Sequence, residues 1–271
     1  MISIILPTYK DAPHLARAIE SVRAQTRTDW ELIVVDDGLY TRNVIEHYVA
    51  EDSRITCIHH EHNLGIQRSL NAGLRTAKGE YIARIDDDDA WTDRDKLAKQ
   101  VAYLEQHRDC VLVGTNAVIV DETGARLGTY VLPQTDTLIR TRILSKNCFL
   151  HPTIMMRTDA VREVHGYSES PQTRHIEDYA LWLALGAYGT FANLADTTTA
   201  LTVRPGSLTA QNRVTQVRHM RSIARQYRQV YPGFLWGQIL LAIRIIGFVV
   251  IGVIPIPPRL LYAIQKVYKE Y

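Results

Sequence analysis

The chain has 271 residues, 46% of them hydrophobic and 22% charged, which suits one large globular domain or a domain with an appendage. A formal net charge of +2 gives no bulk attraction for nucleic acid. Cys57, Cys110 and Cys148 are scattered without a C-x-x-C pair, so they read as reduced thiols of a cytosolic protein.

Ile2 to Leu6 is a short isoleucine-rich run ended by Pro7. No basic region precedes it, so it reads as a first strand and not as a signal peptide. From Pro13, Leu15, Ala18, Ile19 and Val22 recur at helical spacing. "WELIVVDDG" is a second apolar strand that ends in acids and a glycine, and "RITCIHH" is a third. "NLGIQRSLNAGLRTAKG" reads as a loop and a helix stopped at Gly79, and "EYIARI" is the fourth strand. Nearly all-apolar strands alternating with helices predict a parallel sheet covered on both faces. Such sheets bind ligands outside the carboxyl ends of their strands. Here those ends carry Pro7-Thr8-Tyr9, Asp36-Asp37-Gly38 and the run Asp86, Asp87, Asp88, Asp89.

Beyond Trp91, "DKLAKQVAYLEQH" is a helix, and "CVLVGTNAVIVDETGARLGTYV" is two strands turned at Glu122-Thr123-Gly124. A polar connector from Pro133 leads into a helix towards Arg142, and "NCFLHPTIMMRTDAVREVHGY" mixes strand and helix. "HIEDYALWLALGAYG" is a helix with Ile176, Tyr179 and Leu183 on its apolar side. The basic segment "QNRVTQVRHMRSIARQYRQVYPG" precedes "FLWGQILLAIRIIGFVVIGVIPIPP", which is apolar apart from Gln238 and Arg244. "RLLYAIQKVYKEY" is an amphipathic end.

Adjacent carboxylates repel, so four aspartates in a row at the end of a buried strand call for water or a cation. A hard divalent ion takes oxygen ligands, and Mg²⁺ uses only one or two carboxylates, leaving positions for phosphates. Acids at i and i+2 on an extended turn can divide the work between ligand and metal. An acid ending "VVDDG" can accept hydrogen bonds from a base or ribose, or simply cap a turn. Glu177-Asp178 lie in a first helical turn, where the helix dipole favours acids anyway. His59, His60 and His62 are close together, but zinc spacing and a fourth ligand are missing.

Four segments in this order, "SIILPTYKDAPHLARAIESVRAQTRTDWELIVVDDG", "NLGIQRSLNAGLRTAKGEYIARIDDDDAW", "FLHPTIMMR" and "IEDYALWLAL", resemble glycosyltransferase family two. The resemblance covers roughly residues 1–210 and is nearest to bacterial enzymes of lipopolysaccharide, capsule or other surface-glycan synthesis. It implies a GT-A fold of class α/β, a mostly parallel Rossmann-like sheet with helices on both faces and amphipathic or apolar C-terminal helices. Residues 1–90 would form the nucleotide-binding half, 91–210 the acceptor half, and 211–271 a basic, apolar, membrane-associating helical region.

It also implies an inverting, metal-dependent glycosyltransferase of the hexosyltransferase class. Such an enzyme moves sugar from a nucleotide-sugar donor, a UDP-sugar first, to a glycan or lipid-linked acceptor. By the match of motifs, Pro7, Tyr9 and Asp37, with Asp36 beside them, surround the base. Asp86 and Asp88 form the DXD motif, the first facing the ribose and the last holding Mn²⁺ or Mg²⁺, with Asp87 between them at the donor. Asp178 is the catalytic base, and Glu177 and His151 lie in the acceptor region. Arg68 and Lys78 are candidates for the diphosphate.

Two departures stand out. Leu39 replaces the usual serine of "DDGSTD", and Arg204, in "VRPGSLT", replaces a histidine that can bind the metal or phosphate. An arginine can still clamp the diphosphate directly. The competing readings are a sugar-nucleotide nucleotidyltransferase, which needs a glycine-rich loop where this chain has "LPTYKDAPH", and a non-catalytic nucleotide- or glycan-binding protein.

Phe234 to Ile254 is long enough to span a bilayer, but Arg244 sits near its middle and Pro255, Pro257 and Pro258 close it. Arg213, Arg218, Arg221, Arg225 and Arg228 precede the segment, and Arg259, Lys266 and Lys269 follow it. This pattern predicts docking of Phe234 to Tyr271 on the cytoplasmic face of the inner membrane. Core or homodimer-interface helices are the plainer alternative.

Overall fold

A computed structural model describes residues 1–10, 12–38, 40–204 and 212–253. Strands β1 (Ile2–Thr8), β2 (Trp30–Asp37), β3 (Ile55–His60) and β4 (Tyr81–Arg84) run parallel in the order β3-β2-β1-β4. Helices α1 (Ala12–Arg23), α2 (Arg42–Glu51) and α3 (Ile66–Thr76) connect them. Every residue of β1 is buried, because helices cover both faces. Its side chains alternate between two cores: Ile4 and Leu6 join Leu15, Ile19 and Val22 of α1, whereas Ile5 faces Leu70 of α3.

Pro7 does not end β1; it pairs with Val35 inside the strand. Its missing N–H is harmless there. Residues of its parity face β4, whose pairing with β1 stops at Ile5↔Arg84, so no ladder bond is lost. Gly79 does not stop α3 either, since that helix ends at Thr76. Gly79 is needed for close approach: a Cβ there would stand 2.5 Å from the Ser3 backbone nitrogen.

The second half holds β5 (Ala90–Trp91), α4 (Lys96–Gln106), β6 (Cys110–Val120), β7 (Arg126–Tyr130), α5 (Asp136–Arg142), β8 (Met155–Arg157), α6 (Thr158–Glu163), α7 (Glu177–Leu185) and β9 (Thr190–Thr202). β8 lies antiparallel between β4 and β6, β9 runs parallel to β6, and the short β5 pairs antiparallel with the end of β9. The sheet is therefore mixed, parallel through its first four strands. The β6–β7 hairpin turns where expected, with the Asp121 carboxylate accepting from the Thr123 and Ala125 N–H groups. β9, "TFANLADTTTALT", has neither an apolar run nor strict alternation. Its β-branched threonines suit a strand once β6 is beside it, and Thr198 and Thr199 are fully buried there.

Helices α8 (Arg213–Gln226) and α9 (Phe234–Val253) follow. Val217, Met220, Ile223, Ala224 and Leu241 are buried in the core that contains α7, and Phe234, Ile245 and Phe248 pack against it. Arg244 turns towards the body of the fold and donates from Nη1 to the Ser145 carbonyl at 2.9 Å. The opposite side of α9 leaves Leu235, Trp236, Ile239, Ile243, Ile246 and Val249 exposed, Leu235 by 77% and Trp236 by 64%. Among the described residues no helix is long and apolar enough to cross a membrane. The predicted prolines and the cations Arg259, Lys266 and Lys269 lie outside the described residues.

Candidate functional site

The carboxyl ends of β1, β2 and β4 meet at one edge, as the sequence predicts. Asp37 accepts from the Leu64 and Gly65 N–H groups, both at 2.8 Å, and lies 2.9 Å from His60 Nδ1. Those contacts leave about one of its roughly four acceptor positions for a ligand. Asp36 is fully buried; Oδ2 lies 3.4 Å from His59 Nδ1, and Oδ1 has no hydrogen-bond partner among the described residues. His59 and His60 are therefore cross-strand partners of two acids, set by the β2–β3 register Asp36↔His59 and Asp37↔His60. Above them Tyr9, 38% exposed, meets Tyr40 edge-on at 5.4 Å, with Lys10 Nζ 4.7 Å from the Tyr9 ring centroid. Lys10 has φ +79°, an uncommon conformation for a side-chain-bearing residue and concentrated at functional sites. Leu39 lies outside the described residues.

The four aspartates separate by role. Asp87 turns away from the others to β1, accepting from Thr8 Oγ1 at 2.7 Å and from the Tyr9 N–H at 3.4 Å. Asp86, Asp88 and Asp89 bring carboxylate oxygens within 4.8 Å of one another. Asp86 is gripped through both oxygens by Arg84, which is 3% exposed. Asp88 meets Arg204 Nη2 at 3.0 Å. Asp89, 4% exposed, accepts from the Thr202 N–H at 2.8 Å. Burial, then repulsion from Asp86 and Asp88, pushes the Asp89 carboxyl well above the usual range, and burial with Asp86 raises Asp88 despite Arg204. Three crowded hard oxygen donors whose charge is underneutralised fit a divalent ion of the Mg²⁺ or Mn²⁺ type.

The turn is firmly held. Thr202 Oγ1 donates to the Asp88 carbonyl at 2.6 Å, Arg17 Nη2 donates to the same carbonyl and to Thr202 Oγ1, and Trp91 Nε1 donates to the Pro152 carbonyl at 2.9 Å. Lys96, fully buried, places Nζ 4.1 Å from the Trp91 ring centroid.

Glu177 and Asp178 begin α7. Asn147 Nδ2 donates to Asp178 Oδ2, and the Tyr179 N–H donates to Oδ1, both at 2.7 Å. Burial raises Asp178 above the usual carboxylate range, and burial with the Asp178 charge pushes Glu177 up to about 7. Glu177 Oε2 is enclosed with no hydrogen-bond partner among the described residues. Arg84 lowers both acids and Asp86 raises both, so one buried guanidinium sits electrically between the aspartate turn and α7. His151 Nε2 lies 2.7 Å from the Tyr167 hydroxyl, and burial holds this histidine well below its ordinary pKa, hence neutral.

Not every candidate joins this assembly. Arg68 is exposed and pairs with Glu169 at 3.3 Å, on the loop before α7. Lys78 lies at the opposite, amino end of the sheet, where its N–H bonds Ser3 Oγ and Glu31, so it cannot meet a diphosphate at the carboxyl edge. Sequence reasoning missed Arg84, Asn147, Arg17 and Thr202. Only Arg84 left a signal, a charge inside the apolar strand "EYIARI" that had to find a partner when buried.

Comparison with known proteins bears on the family and the fold. The model of the family described as "Glycosyl transferase family 2" matches residues 3–164. EpsE of Bacillus subtilis is 41% identical over 186 residues, covering 67% of this chain and 65% of EpsE. The amylovoran biosynthesis glycosyltransferase AmsE of Erwinia amylovora is 32% identical over 213 residues, 76% of this chain and 77% of AmsE. In fold, the chain resembles S. aureus TarS 1-349, solved with UDP-GlcNAc, with TM-score 0.66, 22% identity, and coverage of 83% of this chain and 66% of TarS. It also resembles the mannosyltransferase PcManGT of Pyrobaculum calidifontis, solved with GDP-Man and Mn²⁺, with TM-score 0.67, 16% identity, and coverage of 100% and 80%. The chain thus spans just under two thirds of EpsE and of TarS 1-349. The fold is that of the GT-A glycosyltransferases.

Proposed function

The chain belongs to glycosyl transferase family 2, and from that premise we propose that it transfers a sugar from a nucleotide-sugar donor to a glycan or lipid-linked acceptor in surface-polysaccharide synthesis, inverting the anomeric carbon. The observation that carries this reading is the cluster of Asp86, Asp88 and Asp89, with the buried Arg84 held on Asp86 and its charge felt by Glu177 and Asp178. A sugar diphosphate needs a cationic neighbour, which the acidic cluster can hold, and an acceptor hydroxyl needs a base, which Asp178 can supply.

In this reading Pro7, Tyr9, Asp36 and Asp37 shape the base and ribose end of the donor site. Asp87 ties that end to the acidic turn through Thr8. Asp88, with Asp86 and Asp89 beside it, holds Mn²⁺ or Mg²⁺. When bound, the ion supplies positive charge against the diphosphate. Arg204 adds a cation at the same carboxylate. Asp178 accepts the proton of the acceptor hydroxyl, whose oxygen then attacks the anomeric carbon opposite the nucleoside diphosphate. Asn147 fixes the Asp178 carboxylate, and neutral His151 braces the Tyr167 hydroxyl. A UDP-sugar is the first donor to try, since a TarS structure of this fold was solved with UDP-GlcNAc.

The test is a thermal-shift panel of nucleotide sugars with and without divalent ion. At a hundred times Kd, a ligand adds about 2.7 kcal/mol, which moves a chain of this size by about 5–10 °C. One nucleotide sugar should do so only with Mn²⁺ or Mg²⁺. A panel in which none moves the melting temperature overturns the donor reading.

The reading also places the chain on the inner membrane face. The exposed stripe of α9 from Leu235 to Val249 is apolar, Arg218, Arg225 and Arg228 of the neighbouring segment are exposed, and no acid occurs between Asp196 and Glu270. An apolar stripe beside basic residues suits an anionic lipid surface, each cation adding about 1 kcal/mol. Sedimentation with anionic vesicles should bring down the full chain, and Trp236→Ser with Ile239→Ser should release it. A full chain that stays in the supernatant contradicts the docking. A full chain that dimerises through this stripe instead assigns it to a second copy.

A further inference from the structure

The three clustered carboxylates are neutralised very differently. Arg84, buried, is locked on Asp86 through two contacts, and Asp89 is bonded to the backbone of Thr202. Asp86 and Asp88 are similarly exposed, 32% and 28% by side chain, but their cations differ: Arg84 is buried, whereas Arg204, which holds Asp88 through the Nη2–Oδ2 contact at 3.0 Å, is itself 28% exposed. Arg204 follows Thr202 by two residues, and Thr202 is pinned to Asp88 and Asp89 by its hydroxyl and N–H. A fixed strand end therefore delivers a rim guanidinium to the carboxylate that the metal reading needs.

We propose that Arg204 is an exchangeable counter-cation: it occupies Asp88 in the nucleotide-free protein and leaves it for the diphosphate of the arriving donor. The inference rests on the transferase reading above and adds how its ligands are coupled. A guanidinium and a divalent ion on one carboxylate are like charges in a half-buried setting, so each weakens the other. A diphosphate offers the guanidinium the better partner, two oxygens matching its planar fork. Once Arg204 has turned to the diphosphate, Asp88 is open to the ion. Ion and nucleotide thus strengthen one another by the same factor, as linkage requires. Arg17 makes the exchange mechanically harmless. Its bonds to the Asp88 carbonyl and Thr202 Oγ1 do not involve Arg204.

The experiment is a titration of the full chain with Mn²⁺, followed by the electron paramagnetic resonance of the free ion, with and without UDP. Melting temperatures of all variants serve as the folding control. Wild type should bind Mn²⁺ weakly alone and about tenfold more tightly with UDP, within the usual range of such couplings. Arg204→Ala should bind Mn²⁺ alone about tenfold more tightly than wild type, bind UDP more weakly, and show a smaller coupling between them. Arg204→Lys keeps the charge but not the fork. It should match wild type for Mn²⁺ alone and lose part of the UDP affinity. If folded Arg204→Ala binds Mn²⁺ alone no tighter than wild type, the exchange is overturned. The same holds if it binds Mn²⁺ less tightly, since the guanidinium would then be orienting Asp88 for the ion. If neither protein binds Mn²⁺ even with UDP, the metal reading of the cluster fails first, and the exchange with it.

Discussion

Asp178→Asn lowers turnover about a thousandfold, within the range that positioned general bases supply. The asparagine keeps the size and one acceptor oxygen, which serves the Tyr179 N–H and holds the α7 terminus, but it turns an NH2 donor towards Asn147 Nδ2 and loses that bond. It cannot take a proton. Donor affinity should be unchanged, because the loss falls on kcat, and the melting temperature should change little, because removing a buried charge offsets the lost Asn147 bond. Initial rates of nucleoside diphosphate release, fitted for kcat and KM, check this. The sign of the pH dependence follows from the raised pKa of Asp178. The base works only when deprotonated, so kcat/KM falls as pH drops through that raised value, above the range of an ordinary aspartate. Glu177→Gln is the informative contrast, since Glu177 is pushed up to about 7 and has an unpartnered oxygen. If Glu177→Gln abolishes transfer while Asp178→Asn stays within tenfold of wild type, the base is Glu177.

Asp88→Ala removes turnover with every donor to the level of wild type in excess chelator. The substitution takes away the carboxylate of the cluster that no buried cation holds, but leaves the Asp88 carbonyl, which Arg17 and Thr202 hold, so the turn persists. Losing one of three repelling carboxylates should also bring the Asp89 pKa down. Asp87→Asn should behave differently although it lies one residue away, because Asp87 faces Thr8 and Tyr9 and not the cluster. Its turnover should remain chelator-sensitive. Full activity of Asp88→Ala, or of wild type in excess chelator, contradicts the metal role.

What the sequence discloses is the framework of these two predictions. The apolar runs, alternating with helices, place three polar strand ends on one edge, because burial on both faces leaves β1 and β2 little choice of residue. The charges that balance the edge are far less legible. Arg84 shows itself only as an oddity in a strand, and Arg17 and Asn147 belong to elements far along the chain from the acids they serve. β9 is the clearest omission. Its threonines have no amphipathic signature, yet its last residue pins the acidic turn, because pairing with β6 brings Thr202 to the site. Gly79 and Pro7 mislead for a related reason. Each looks like a local stop, and each is explained by a neighbouring strand or its absence.

The most direct test of the account is release of nucleoside diphosphate by the purified 271-residue chain, offered UDP-, GDP- and dTDP-sugars one at a time with Mn²⁺ and with chelator. The account predicts that at least one nucleotide sugar is turned over, slowly to water and faster once an acceptor hydroxyl is supplied, that chelator stops it, and that Asp178→Asn is about a thousandfold slower beside it. Wild type that binds a nucleotide sugar but never releases the diphosphate, with any ion or acceptor extract, would make this a binding protein on a transferase fold and contradict the account.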